Sequence, residues 1–386
     1  MEKEEQVNLK NKPNKEKKIK CGAKITPPFD FDIPDNYLYA LMGIIAIVAI
    51  MLNYIYFSIK NSKENEKIEK ARATVGIEDS LLFDYNTLLR NKVELEEYCN
   101  FTDQKALEKE EYEQQIILAN VSLLNNKFQM YVYRNEDISS QEILTNQGFE
   151  SDETKNLLTA LSYYSSTNDL KPQDIYFLDI GSTIGWYSYF VAKYGYNVLS
   201  FEPSDLHNYI VRKSYCLNRE VNISFIKRGL NNIDHKCDLY INKKNHGDGF
   251  IFCERNRYIP PHLIKSEEVI LTKLERYMQF LSTNNLGLVR IDVEGAEEKV
   301  LLGGIELISN YQVPFIFLKF NQDNLRLHGT DPKKFLEMFN KYGYLFPSRN
   351  FLDDVFLSPN KIIEKAKGTY NLYIVHQRIS RKFHDL

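Results

Sequence analysis

Hydrophobic and polar positions divide the chain into four parts. Residues 1–36 are polar and rich in Lys and Pro, which is typical of a disordered tail. Residues 37–57 form an uncharged apolar run, and residues 58–117 are mostly charged with helical spacing, which predicts a helical stem or linker. From about residue 118 short apolar runs alternate with helical patterns, so residues 118–386 are predicted to form the large folded domain.

The apolar run at residues 37–57 (YLYALMGIIAIVAIMLNYIYF) predicts a single transmembrane helix. At about 1.5 Å per residue such a helix reaches about 31 Å, which crosses a bilayer, and tyrosines lie near both ends, where they suit the interfaces. Lysines flank the run on both sides, so the positive-inside rule barely discriminates the orientation.

Sequons and cysteines bear on the compartment. Sequons begin at Asn100, Asn120 and Asn222 and favour a lumenal C-terminal domain, although an Asn-rich chain produces about this number by chance. Cys237 and Cys253 would pair in an oxidising lumen, and five unpaired thiols are the alternative. We therefore expect a single-pass protein of the endomembrane system (Golgi or ER) with a lumenal catalytic domain.

The large domain has the pattern of a mostly parallel sheet with helices on both faces, a Rossmann-like α/β fold. Apolar runs that alternate with helical segments begin near residues 175, 197, 221, 286, 313 and 372. Strands with crossover helices form parallel sheets covered on both faces, and such sheets bind ligands at the carboxyl ends of their strands.

Three clusters of candidate functional residues follow predicted strands. They are Asp179, Gly181, Ser182, Thr183 and Gly185; then Glu202 and Pro203; then Asp292 and Glu294. Glycines let a turn approach a ligand closely, and a carboxylate after the second strand accepts ribose hydroxyls. Each cluster also has a structural alternative: a tight turn, a strand end or a helix cap.

The motif spacing and the net charge indicate which class of ligand is favoured. Thr183 stands where a dinucleotide-binding loop has its second glycine, and no GK[ST] phosphate loop occurs, so an NAD-dependent oxidoreductase is disfavoured and S-adenosylmethionine favoured. A net charge of -3 gives no indication of nucleic acid as a partner.

These residues resemble the FkbM-type family of S-adenosylmethionine-dependent methyltransferases. The resemblance lies in residues 177–185 (FLDIGSTIG), 201–204 (FEPS) and 290–304 (RIDVEGAEEKVLLGG) and extends over about residues 118–376. It implies a class I methyltransferase sheet with one antiparallel strand, here at 372–376, and O-methylation of a sugar or another hydroxyl acceptor.

The resemblance also implies roles for individual residues. Asp179, Gly181 and Gly185 would shape the loop at the methionine side, Glu202 would hold the ribose, and Asp292 would lie near the methyl group. Lys319 stands where the family often has Glu, and Thr183 where it commonly has Asn. Because Lys319 reverses a charge near the acceptor, a catalytically silent binding or scaffold protein of the same fold is the alternative function.

A hydroxyl acceptor loses a proton when it is methylated, which favours a nearby base. Asp292 is the first candidate for this base and Glu294 the second. The two carboxylates would alternatively hold a divalent metal. Spacing fixes no further carboxylate or histidine beside them, so no metal site is predicted.

Overall fold

The computed structural model describes residues 94–100, 110–135, 137–254, 257–279, 281 and 285–380. The predicted tail, the predicted transmembrane segment at 37–57 and most of the predicted stem lie outside these residues. Within the described part of the chain, no helix combines the length and the apolar character needed to cross a membrane. The domain boundaries stay a prediction.

Helices and strands follow one another along the described part of the chain. The helices are α1 (94–100), α2 (Glu110–Glu113), α3 (Ile138–Asn146), α4 (Ser151–Thr167), α5 (Trp186–Lys193), α6 (Asp205–Cys216), α7 (Glu275–Met278), α8 (Glu297–Leu302), α9 (Glu306–Ser309), α10 (Gln322–Leu327), α11 (Pro332–Lys341), α12 (Pro359–Lys365) and α13 (Gln377–Ser380). The strands are β1 (Ile116–Leu123), β2 (Asn126–Tyr133), β3 (Tyr176–Ile180), β4 (Asn197–Phe201), β5 (Ile223–Ile226), β6 (Gly229–Leu230), β7 (His235–Asn242), β8 (Asn245–Phe252), β9 (Leu263–Thr272), β10 (Leu286–Ile291), β11 (Phe315–Asn321), β12 (Tyr344–Leu345) and β13 (Thr369–His376).

A seven-stranded sheet in the order β12-β13-β11-β10-β3-β4-β5 forms the centre of the domain. The strands from β11 to β5 pair in parallel, and β13 runs antiparallel to both of its neighbours. The predicted mostly parallel sheet, with its antiparallel strand near 372–376, is therefore confirmed. The parallel strands place their carboxyl ends along one edge, where a ligand site is expected.

Helices cover both faces of this sheet because successive strand residues point to opposite sides. Phe177 packs with residues of α4, α5 and α6, whereas the next residue, Leu178, packs with residues of α8, α9 and α11. Both side chains are fully buried. Burial on both faces explains why these strands are continuous apolar runs in the sequence.

A second sheet of four strands, in the order β6-β9-β7-β8, was not predicted. Its β8 has the sequence NHGDGFIF, which lacks the apolar continuity of a buried strand. The Cys237–Cys253 disulfide joins β7 to the residue after β8, with the two Cα atoms 4.4 Å apart. This is the pairing that the sequence indicated for an oxidising lumen.

A second disulfide, between Cys99 and Cys216, was not anticipated. It joins α1 to the end of α6 across 117 residues, with the Cα atoms 5.3 Å apart. Leu95 on the same helix is 1% exposed and belongs to the domain core. Residues 94–100, which fall within the predicted stem, are thus attached to the domain.

Candidate active site

A cavity lies at the carboxyl ends of β3, β4 and β10, and residues of β7, β8 and β9 form the other side of its wall. Six of the predicted site residues line it: Gly181, Thr183, Glu202, Pro203, Asp292 and Glu294. The other three, Asp179, Ser182 and Gly185, are not among its lining residues. The fold therefore brings the three sequence clusters to one cavity.

The turn after β3 requires glycine at its start. Gly181 has a φ of 81°, and a Cβ atom there would lie 1.9 Å from the backbone carbonyl oxygen of Asp292. Thr183 has a φ of 53°, which is unusual for a residue with a side chain. Its backbone N–H donates to Glu202 Oε2 at 2.9 Å, so this conformation directs the turn towards the carboxylate.

Glu202 is held at the cavity by the backbone. Oε2 accepts the Thr183 N–H, and Oε1 accepts the Ser204 N–H at 3.0 Å. His207 Nδ1 lies 3.0 Å from Oε1. Burial on its own would lower the pKa of His207, but the negative charges of Glu202, Asp137 and Glu267 raise it above its usual value. The sequence offered no motif for His207.

Asp179 is fully buried beneath the turn. It accepts the Ser188 hydroxyl at 2.7 Å and Arg290 Nη1 at 2.9 Å. Arg290 Nη1 also donates to the Gly181 carbonyl oxygen at 3.0 Å, and its Nη2 donates to Asp292 Oδ2 at 2.5 Å. One guanidinium thus joins the turn after β3 to the end of β10.

Arg290 was not singled out in the sequence. The available signal was an arginine within an otherwise apolar strand, because a buried guanidinium requires carboxylate partners. Burial opposes its positive charge, but Asp292 and Asp179 outweigh this and raise the pKa of Arg290.

Asp292 and Glu294 differ in their surroundings. Burial raises the pKa of Asp292, while the charges of Arg290 and Lys319 oppose the rise. Burial, followed by the negative charge of Asp292, raises the pKa of Glu294 well above its usual value. Glu294 Oε2 accepts the Asn324 side-chain amide at 2.8 Å. Of the two, Glu294 is the carboxyl that more readily keeps its proton.

Glu297 has a structural position in the turn after β10. It is 2% exposed and accepts the backbone N–H groups of Val293 at 3.2 Å and Gly295 at 3.1 Å. Burial raises its pKa to about 7. These bonds hold the turn that presents Asp292 and Glu294 to the cavity.

Lys319 does not present a free positive charge. Its ammonium pairs with the Glu150 carboxylate, and the Tyr187 hydroxyl donates to the other oxygen of Glu150. The Lys319 side chain is 10% exposed. The charge reversal noticed in the sequence is thus neutralised by a residue 169 positions away.

Comparison with known proteins agrees with this arrangement. Residues 179–346 match the family model described as the methyltransferase FkbM domain. The described domain is thus of methyltransferase type. The resemblance to the FkbM-type family that was inferred from the sequence is therefore confirmed for these residues. No curated protein matches the chain.

Solved structures are similar at a low level. The bifunctional kinase-methyltransferase WbdD has a TM-score of 0.34 and 11% identity, covering 58% of this chain and 39% of its own. A putative transferase from Pyrococcus horikoshii has a TM-score of 0.30 and 10% identity, covering 67% of this chain and 70% of its own. The T. Thermophilus 16S rRNA N2 G1207 methyltransferase (RsmC), in complex with AdoMet and guanosine, has a TM-score of 0.31 and 9% identity, covering 68% of this chain and 51% of its own.

Proposed function

We propose that the chain is a class I, S-adenosylmethionine-dependent O-methyltransferase whose acceptor is a hydroxyl of a sugar or another small molecule. One observation carries the proposal: Glu202, at the end of β4 within the FkbM domain, faces a cavity that also holds the Gly181 turn and Asp292. Positioning of the two reactants would dominate the rate, since a bound pair of reactants gains a high effective concentration.

The cavity residues fit this cofactor. An ionised carboxylate has about four lone-pair sites; on Glu202 the Ser204 N–H and His207 Nδ1 lie at Oε1 and the Thr183 N–H at Oε2, so one site on Oε2 remains for a ribose hydroxyl. Ile180, Phe201 and Leu230 supply apolar wall suited to an adenine ring. Because Gly181 has no side chain, the turn leaves space beside the Glu202 carboxylate.

The carboxylates after β10 divide the proton chemistry. When bound, S-adenosylmethionine supplies an electrophilic methyl group on a positively charged sulfur. Asp292, which Arg290 holds in place, accepts the proton of the acceptor hydroxyl. Glu294 keeps its proton more readily and donates a hydrogen bond. Neighbouring carboxyls whose surroundings push their pKa values apart commonly take such separate roles.

The catalytically silent alternative has less support. That hypothesis rested on the positive charge of Lys319, which pairs with the Glu150 carboxylate. The cavity keeps every carboxylate that the proposed chemistry needs.

We propose further that residues 37–57 anchor the protein in an endomembrane and that the catalytic domain is lumenal. Disulfides persist in oxidising compartments, and four of the five cysteines pair in the two disulfides. The fifth, Cys21, precedes the predicted membrane helix. Full-length protein should stay in membranes through an alkaline wash, and its release by that wash would contradict the anchor.

Calorimetry with S-adenosylmethionine tests the function. A hydrogen bond to a charged group contributes about 1.5–3 kcal/mol, so Glu202→Gln should weaken binding about tenfold or more. Glu267→Gln is the matched control, because Glu267 also accepts a backbone N–H, from Asp205 at 2.9 Å, but is not a lining residue of the cavity. Absence of binding to the wild type would refute the cofactor, and an unchanged affinity in Glu202→Gln would remove Glu202 from the site.

The acceptor is identified by a transfer screen. Extracted glycans, lipids and proteins would be incubated with the enzyme and methyl-labelled cofactor. Label that is stable to base and found on a glycan hydroxyl would support the proposed acceptor class, whereas label on nitrogen would contradict O-methylation.

A further inference from the structure

The three sequons differ in their structural surroundings. The Asn222 side-chain nitrogen donates to the Asn197 side chain. The Asn100 amide oxygen accepts Arg219 Nη1 at 2.7 Å, and the threonine of that sequon lies outside the described residues. In the Asn120 sequon, by contrast, the asparagine and the serine are both described, and the asparagine amide nitrogen donates no hydrogen bond to a described residue.

Asn120 lies on β1, with its side chain turned to solvent. Strand alternation exposes Asn120 and Ser122 together and buries Val121 between them, at 2% exposure. The Asn120 amide oxygen accepts Gln129 Nε2 at 2.9 Å, so that contact occupies the oxygen and not the nitrogen. Among the described residues, neither the Asn120 amide nitrogen nor the Ser122 hydroxyl has a hydrogen-bond partner.

The surroundings leave room for a large group. β1 pairs with β2 alone in a two-stranded sheet, and on its other edge the Ser122 backbone N–H donates to the Gln147 carbonyl oxygen at 2.8 Å, while Asn120 and Ser122 themselves are exposed. Neither strand contributes a lining residue to the cavity. A group attached at Asn120 would therefore leave the proposed catalytic site unobstructed.

The disulfides are an independent indication of the compartment. Both pairs lie in the same domain as Asn120, and a domain with paired cysteines matches the oxidising lumen in which asparagine is glycosylated. The exposure of Asn120 and Ser122 and the presence of the disulfides are observations independent of the sequence motif.

We propose that Asn120 is a site of N-linked glycosylation. The donor is a lipid-diphosphate-linked oligosaccharide of the lumenal membrane. A bond forms between the Asn120 side-chain nitrogen and the anomeric carbon of the first sugar, the bond from that carbon to the diphosphate oxygen breaks, and one amide proton is released. The inference goes beyond the proposed methyl transfer and rests on the proposed lumenal location.

The test uses the full chain expressed in cultured insect cells with a C-terminal epitope tag. Peptide N-glycosidase should increase the electrophoretic mobility of the wild type, and Asn120→Gln and Ser122→Ala should each remove one glycan from the shift. Asn125→Gln is the matched control, since Asn125 lies in the adjoining turn but in no sequon. Digestion in ¹⁸O water followed by mass spectrometry should label position 120.

Two outcomes would overturn the proposal. One is a wild-type chain without any glycosidase shift, and the other is an undiminished shift in Asn120→Gln. Calorimetry with S-adenosylmethionine on the same preparations keeps the two proposals separate. Asn120→Gln should bind the cofactor as the wild type does, and a wild type that is glycosylated but binds no cofactor would refute only the methyltransferase proposal.

Discussion

Replacing Asp292 with asparagine separates its proposed chemistry from its structural contacts. Asp292 Oδ2 accepts Arg290 Nη2 at 2.5 Å, and the Arg290 side chain is 6% exposed. Asparagine keeps the size and an acceptor oxygen but loses the charge. Arg290 retains Asp179 at 2.9 Å, so its charge is not left unpaired. The loss therefore falls below the 3–5 kcal/mol of a broken buried pair.

The expected stability change follows from this geometry. A hydrogen bond to a charged group contributes about 1.5–3 kcal/mol, and in a domain of this size each kcal/mol changes Tm by about 2–4 °C. Asp292→Asn should thus lower Tm by about 3–12 °C. If Asp292 is the base, turnover should fall about 10²–10⁴-fold, with cofactor affinity nearly unchanged.

The assay combines single-turnover transfer of a labelled methyl group, calorimetry with the cofactor, and thermal unfolding. Asp234→Asn is the matched control. Asp234 Oδ2 accepts Arg276 Nη2 at 2.5 Å, and neither residue lines the cavity. This control should lose a similar amount of stability and keep its turnover.

Two results would refute the reasoning. Wild-type turnover in Asp292→Asn would leave Asp292 with only its contact to Arg290. An equal fall in turnover in Asp234→Asn would attribute the loss to reduced stability and not to the missing base.

Three further predictions concern the surroundings of the site. Gly181→Ala should lower Tm by more than Gly329→Ala, because both residues have a φ of 81° but only the first Cβ would meet backbone, at 1.9 Å; equal effects would contradict the close approach. Because the pKa of His207 is raised in the folded state, its contribution to stability is full below about pH 6.5 and is lost as pH rises through the folded-state pKa. The Tm advantage of the wild type over His207→Asn should therefore shrink as pH rises through the folded-state pKa. A Tm difference that stays constant with pH would exclude this titration. Lys319→Glu should lower Tm by several degrees, since two carboxylates would then meet, and adding Glu150→Gln should recover part of the loss; no recovery would show that the pair is not the cause.

Local patterns predicted six of the seven strands of the central sheet, and only the two-residue β12 was missed. Strands such as β3, β4 and β10 are buried on both faces, and this leaves continuous apolar runs in the sequence. The four-stranded sheet has no such signature, because its strands are partly exposed and β8 contains Gly247 and Gly249. For this reason the four-stranded sheet was not predicted, although it supplies much of the cavity wall.

The sequence by itself determined the order of strands and crossover helices and the placing of Gly181, Glu202 and Asp292 at strand ends. These follow from patterns a few residues long, and parallel strands bring their carboxyl ends to one edge. Only the tertiary structure decided which charges meet. Arg290 reaches Asp179 across 111 positions, and Lys319 reaches Glu150 across 169. Such pairs depend on the lateral order of strands in the sheet and on helix packing, which local periodicity does not encode.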